Sequence, residues 1–316
     1  MVQGVKAGDV RCLARLISRV ENREPGWETA MSRIYFMAGS ARVFGITGSP
    51  GAGKSTLTSE ITRLLVDRGY SVGIIAVDPS SPFSGGALLG DRLRMKALFT
   101  LESVYIRSMA TRGMLGGLCQ AARDVVRIMD AFGKDIVLIE TVGVGQDEIE
   151  IVRAADRVMV VMIPGQGDGI QAIKAGVMEI ADIYVVNKAD KPGADEVAAD
   201  IGAMLSLSEW QHDELPPVLQ VSALSRQGIE ALVDVLLAVP ADGSRQRLNK
   251  ETRIKEEMLS LVEREVFRRT RKELEQDGWL SQAVDRVLDN AGDPYTIVKQ
   301  MMETHFNQGT RKTIVE

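Results

Sequence analysis

The chain has 316 residues, 45% of them apolar and 26% charged, with a formal net charge of −5. That is ample material for a large core, and the absence of any Lys/Arg block or membrane-length apolar run excludes nucleic acid and the bilayer as obvious partners. Two cysteines (Cys12, Cys119) and two histidines (His212, His305) argue against a disulfide framework or a His/Cys metal centre, and suit a reducing, cytoplasmic setting.

The opening MVQGVKAGDVRCLARL lacks the apolar centre of a secretory signal. Residues 1–41 read as a helical arm: Val10, Leu13, Leu16, Ile17 and Val20 share one helical face. Pro25-Gly26 breaks that run, and WETAMSRIYFMAG is expected to be a second helix ending at Gly39. From Arg42 the rhythm changes. RVFGITG, SVGIIAV, VYIRS, DIVLIET, RVMVVMIPG, DIYVVNK and PVLQVSAL are short β-rich runs separated by helical ones. Most are apolar without alternation, as strands buried on both faces are. The predicted class is α/β, a doubly wound, mostly parallel sheet over residues 42–240 with helical arms at 1–41 and 241–316. In the C-terminal arm, Ile254, Met258, Leu261, Val262 and Val266 lie at helical spacing among dense mixed charge. Asp277-Gly278 ends that helix, and one or two more follow, including DPYTIVKQMMETHF.

Gly48-Ser49-Pro50-Gly51-Ala52-Gly53-Lys54-Ser55 satisfies the phosphate-loop pattern, with Thr56 next in the helix it opens. Its glycines let backbone N–H groups face phosphate oxygens, and the helix adds the positive end of its dipole. Lys54 is expected to reach the terminal phosphates and Ser55 to ligate Mg²⁺. The strand before the loop and the helix after it are the context such a motif requires.

Asn187-Lys188-Ala189-Asp190 ends an apolar strand and reads guanine. The Asp carboxylate accepts from the ring N–H and the exocyclic amine, and it repels the acceptor edge of adenine. Ser222-Ala223-Leu224 follows another strand, where a backbone donor for the base oxygen is expected. Three acids sit where strands end or loops begin. Asp78 is a metal-site carboxylate or a turn initiator before Pro79. Asp91 is a metal-site carboxylate or a helix N-cap. Glu140 is a Walker B acid, longer than the usual Asp, or a paired structural acid. Arg107 and Arg112 approach phosphates or a partner, or form structural ion pairs. The long Gly-, Ser- and Pro-containing loop DPSSPFSGGALLG suits a segment that orders around a γ-phosphate.

VDPSSPFSGGALLGDRLRM, ETVGVGQDE and PGQGDGIQAIKAGVMEIADIYVVNKAD, with the phosphate loop, resemble the MeaB/ArgK/MMAA-type GTPases. The resemblance covers roughly residues 8–240 strongly and the C-terminal arm in helical character only. It implies a GTPase using GTP and Mg²⁺ that acts as a chaperone of an adenosylcobalamin-dependent acyl-CoA mutase, gating cofactor loading, protection or reactivation. It makes Lys54, Asp91 and Glu140 catalytic, and Ser55, Asp78, Asp91 and Glu140 the metal or switch set. It places Gln166, Asp168 and Lys174 in a third switch loop that passes nucleotide state to the mutase. It also implies a homodimer formed through the C-terminal arm. Glu140-Thr141-Val142-Gly143 replaces the DxxG of ordinary small GTPases, and no Gln stands where those proteins orient water. Slow intrinsic hydrolysis awaiting a partner is the expectation. The alternative is a kinase linked to arginine or ornithine transport, a label that relatives have carried. It lacks an acceptor-site motif here.

Overall fold

The computed structural model describes residues 1–78, 95–110, 117–141, 143, 154–165, 181–207, 215–238, 243–276 and 278–312. The chain divides into two compact units, Met1–Ala238 and Val239–Glu316.

The first unit opens with three helices, α1 (Val2–Lys6), α2 (Val10–Glu21) and α3 (Trp27–Tyr35). The short α1 was not legible, because five residues are too few to establish a period. Asp9 starts α2: its carboxylate accepts from Arg11 N and Cys12 N, two of the donors a helix start leaves unpaired. Then follow β1 (Arg42–Gly48), α4 (Lys54–Asp67), β2 (Val72–Asp78), a 3₁₀ turn at Lys96–Leu98, β3 (Val104–Ala110), α5 (Gly117–Ala131), β4 (Ile136–Thr141), β5 (Arg157–Met162), β6 (Ile183–Val186), α6 (Ala194–Leu207), β7 (Val218–Gln220) and α7 (Ile229–Leu237).

The seven strands form one sheet in the order β3-β2-β4-β1-β5-β6-β7, and every pairing is parallel. This is the doubly wound plan that the apolar strand runs imply. Side chains alternate between two cores. Val43, Ile75, Val137, Ile139, Val158 and Val160 share one with α1, α2, α3, α5 and α6. Phe44, Ile46, Ile74, Leu138 and Val161 share the other with α4 and α7. Both faces are covered, so the middles of the strands are mostly apolar and polar side chains gather toward their ends.

The N-terminal helices are bound to the sheet by more than apolar contact. Arg23 pairs with the buried Asp124 of α5 at 3.0 Å and stacks over Trp27. The Asp130 carboxylate of α5 accepts from the backbone of Gly39, Ser40 and Ala41 just before β1. Arg107 of β3 pairs with Glu21 of α2 and donates to Ser18 Oγ. Arg107 is therefore a brace for α2. Arg112 lies outside the described residues.

Aspartates close the N-terminal edge of the sheet. Asp156 accepts from Val43 N at 2.9 Å, Asp182 from Val158 N at 2.7 Å, and Asp135 from Ser71 N and Ser71 Oγ. Each satisfies a donor that would otherwise be stranded where a strand begins. The bonds from Ser71 hold the Asp135 carboxyl below its usual range.

The second unit contains α8 (Gly243–Gln276), α9 (Trp279–Leu288) and α10 (Pro294–Lys312). α8 starts earlier than its apolar periodicity suggested, since SRQRLNK is rich in helix formers but offers no apolar face. Arg268 and Arg269 both donate to Glu265 and hold its carboxyl at about 2. Met258, Leu259, Val262, Val266 and Phe267 on the same helix are exposed. Among the described residues, no helix is long and apolar enough to cross a membrane.

Candidate nucleotide-binding site

The C-terminal edge of the sheet gathers the motifs. β1 delivers Gly48 between β4 and β5, and α4 begins at Lys54. Gly48 has φ 142°, and a Cβ built there would lie 2.1 Å from Val161 O of β5. Only glycine lets the loop leave the sheet this close to the neighbouring strand. Gly53 has φ 84° and forms the N-cap of α4, without a side-chain cap. The first-turn N–H groups of α4 are thus presented by backbone alone, the usual setting for a bound anion.

Lys54 is buried, and its Nζ donates to Gly48 O at 2.7 Å and Ser49 O at 3.0 Å. Its ammonium is held inside the arc of its own loop. Ser55 Oγ donates to Glu140 Oε1 at 2.5 Å, and both residues are buried. Ile46 and Glu140 are register partners on β1 and β4, so the acid projects from the sheet toward the start of α4. This contact directly joins two of the four sequence-predicted metal residues, Ser55 and Glu140. Their donors are hard oxygens, the kind Mg²⁺ prefers, so the residues present fit that ion. Asp78 is the last residue of β2, which pairs with β4, so its backbone reaches the same edge. Asp91, Gln166, Asp168 and Lys174 lie outside the described residues.

The segments expected to read the base are tied to the loop. Asn187 N donates to Met162 O, which seats this residue at the end of β6 beside β5. Its Nδ2 donates to Ala52 O at 2.8 Å, and its Oδ1 accepts from Ala223 N at 3.1 Å. One buried amide therefore joins the phosphate loop to the Ser222-Ala223-Leu224 turn. Gly53 is packed so closely here that a Cβ would come 2.6 Å from Asn187 Nδ2. Lys188, with φ 60°, donates through Nζ to Gly51 O at 2.8 Å. Asp190 is exposed at the site, where Ser222 Oγ donates to Oδ1 at 2.5 Å and holds its carboxyl below the ordinary range. An ionised acid at that position can accept two donors from one ligand edge. Leu224 is largely exposed beside it, whereas Thr56 is on the exposed side of α4.

The structure thus brings the phosphate loop, Glu140, Asn187, Lys188, Asp190, Ser222, Ala223 and Leu224 to one edge. The bridging work of Asn187 was not read from sequence. Its signal is an amide residue, capable of donating and accepting at once, placed directly after a wholly apolar strand.

The family model of the methylmalonyl-CoA mutase-associated GTPase MeaB matches residues 13–275. A Pyrococcus abyssi protein provisionally named a GTPase is 46% identical over 269 residues, spanning 84% of this chain and 82% of its own length. The GTPase ArgK of Escherichia coli is 35% identical over 314 residues, or 96% and 95% of the two chains. A crystal structure named LAO/AO transport system kinase superposes with a TM-score of 0.69 at 30% identity, covering 96% of this chain and 95% of that one. With a phosphate loop, a buried acid on its serine and an NKxD strand end in one place, the chain belongs to the MeaB family of GTPases.

Proposed function

We propose that this site binds GTP with Mg²⁺, hydrolyses it slowly alone, and signals the nucleotide state to an adenosylcobalamin-dependent acyl-CoA mutase whose cofactor loading, protection or reactivation it gates. The observation that carries the reading is the joining of phosphate-loop and base-reading segments through Asn187, in a chain of the MeaB family. In this reading Gly48–Ser55 and Thr56 hold the phosphates, and Lys54 turns from Gly48 O and Ser49 O to the terminal ones. Ser55 and Glu140 would hold Mg²⁺, with Asp78 and Asp91 as further metal-site or switch carboxylates. When bound, Mg²⁺ neutralises charge that builds on the β- and γ-phosphate oxygens. Water attacks the γ-phosphorus, and the bond to the β–γ bridging oxygen breaks, leaving GDP and phosphate. The loop backbone and Lys54 stabilise the negative charge that moves onto that bridging oxygen. Asn187, Lys188, Asp190, Ser222, Ala223 and Leu224 read guanine.

Gln166, Asp168 and Lys174 couple the site to the mutase. The exposed Met258, Val262 and Phe267 of α8 support a homodimer through the C-terminal arm. The kinase alternative has only the name of a structural neighbour behind it. A cytoplasmic setting belongs to the same proposal and rests on the sparse cysteines.

The role of Asp190 has a sharp test. Asp190→Asn loses an acceptor for two guanine donors, so GTP affinity falls by about two orders of magnitude. Affinity for xanthosine triphosphate rises, because the new amide can donate to its extra oxygen. Competition binding with the two nucleotides reads both changes, and an unaltered preference for guanine would remove Asp190 from the base site.

The whole reading is tested by GTP hydrolysis of the purified chain, alone and with a series of cobalamin-dependent mutases. Slow turnover that rises many-fold with one mutase is expected. No stimulation by any of them, with labelled phosphate appearing on another molecule, would defeat the chaperone reading in favour of a kinase.

A further inference from the structure

Two threonines sit side by side where β1 and β4 end, Thr47 and Thr141, and both are fully enclosed, at 0% and 1% exposure. They lie on the sheet face of Val43, Val137 and Ile139, where a valine would fill the same space. A hydroxyl buried in such surroundings is costly unless it is bonded, so its partner indicates what it is for. Thr47 Oγ1 donates to Gly143 O at 2.9 Å. Thr141 Oγ1 lies 3.1 Å from Thr47 Oγ1, 3.2 Å from Gly143 O and 3.4 Å from Ile46 O. Both hydroxyls thus reach Gly143 O, beyond the end of β4, and together form a clasp on it.

The position of that carbonyl matters. Gly143 is three residues past Glu140, whose carboxylate meets Ser55. It is also beside the phosphate loop, since a Cβ built on it would be 3.9 Å from Pro50 Cγ. Strand alternation sends Glu140 to the α4 face and Thr47 and Thr141 to the other, so acid and clasp flank the loop from opposite sides.

We propose that Thr47, with Thr141, is a positioning residue that fixes Gly143 where the third phosphate of GTP meets it, and so contributes to telling GTP from GDP. The inference rests on the GTPase reading of the site. The phosphates common to both nucleotides are held by the loop backbone and the start of α4. Among the described residues, the side-chain bonds of Thr47 run to Gly143 and Thr141. Its hydroxyl can therefore be deleted with the shared phosphate contacts intact.

The test uses the full chain with Mg²⁺ and compares equilibrium binding of GDP and of a non-hydrolysable GTP analogue. Thr47→Val keeps the β-branched shape and removes the clasp. GDP affinity is expected to stay within about two-fold, while the analogue weakens about five- to ten-fold, the weight of one buried hydrogen bond. Thr141→Val should shift the same ratio in the same direction, and Thr47→Ser should restore it. A purely structural role would lower both affinities together or neither, and either result overturns the proposal, as does a tighter analogue. Lys54→Ala run alongside separates the two levels. If it leaves both nucleotides bound as before, the nucleotide-site reading itself fails; if it weakens both while Thr47→Val leaves their ratio unchanged, only the clasp fails.

Discussion

Lys54→Ala lowers GTP turnover by about a hundred-fold or more while the domain remains folded. The side chain is 6% exposed, and its charge is held by two carbonyls of its own loop, Gly48 O and Ser49 O. A buried ammonium so placed is ready to exchange those carbonyls for phosphate oxygens, which answer its charge more fully. Alanine removes the positive charge just where negative charge accumulates during phosphoryl transfer. It leaves the helix itself in order, because alanine is the best helix former and Thr58 Oγ1 bonds the backbone oxygen of residue 54. Phosphate release and a thermal melt, measured on the same preparation, check both halves. Turnover that persists in a folded variant would place the reaction elsewhere.

Asn187→Ala weakens GTP and GDP together, by about a hundred-fold, and lowers the melting temperature by several degrees. The amide is 2% exposed and links Ala52 O to Ala223 N. Its loss strands a carbonyl in the phosphate loop and an N–H in the turn at Ala223, each costing roughly 1–3 kcal/mol when buried. The two segments also lose their common reference point, so phosphate and base contacts can no longer be satisfied at one spacing. Titration calorimetry with both nucleotides reads the effect. The contrast with Thr47→Val is diagnostic, since one variant lowers both affinities and the other changes their ratio. A variant at 187 that binds both nucleotides normally would show that the bridge is dispensable.

Much of this site was legible because its chemistry is local. Gly48–Ser55 and Asn187–Asp190 are short stretches in which backbone form and donor type are set by adjacent residues. The apolar strands announced a sheet covered on both sides, and the seven parallel strands have that arrangement. Other features were illegible because they pair residues far apart. Arg107 offered no sign of whether it faced phosphate or protein, and its partner is Glu21, on a helix that precedes the sheet. Thr47 and Thr141 look like ordinary strand residues until β1 and β4 are placed side by side. The start of α8 was missed since that stretch has helix propensity but no apolar rhythm.

By itself, then, the sequence determined the α/β class and carried the phosphate-loop and NKxD patterns, because spacing within a short stretch controls backbone geometry and donor pattern. The tertiary structure alone decided that Glu140 answers Ser55, that Asn187 joins the phosphate loop to the turn at Ala223, and that two buried hydroxyls meet at Gly143 O. Those contacts depend on strand order and register, which follow from burying both faces of the sheet at once and are written in no single segment.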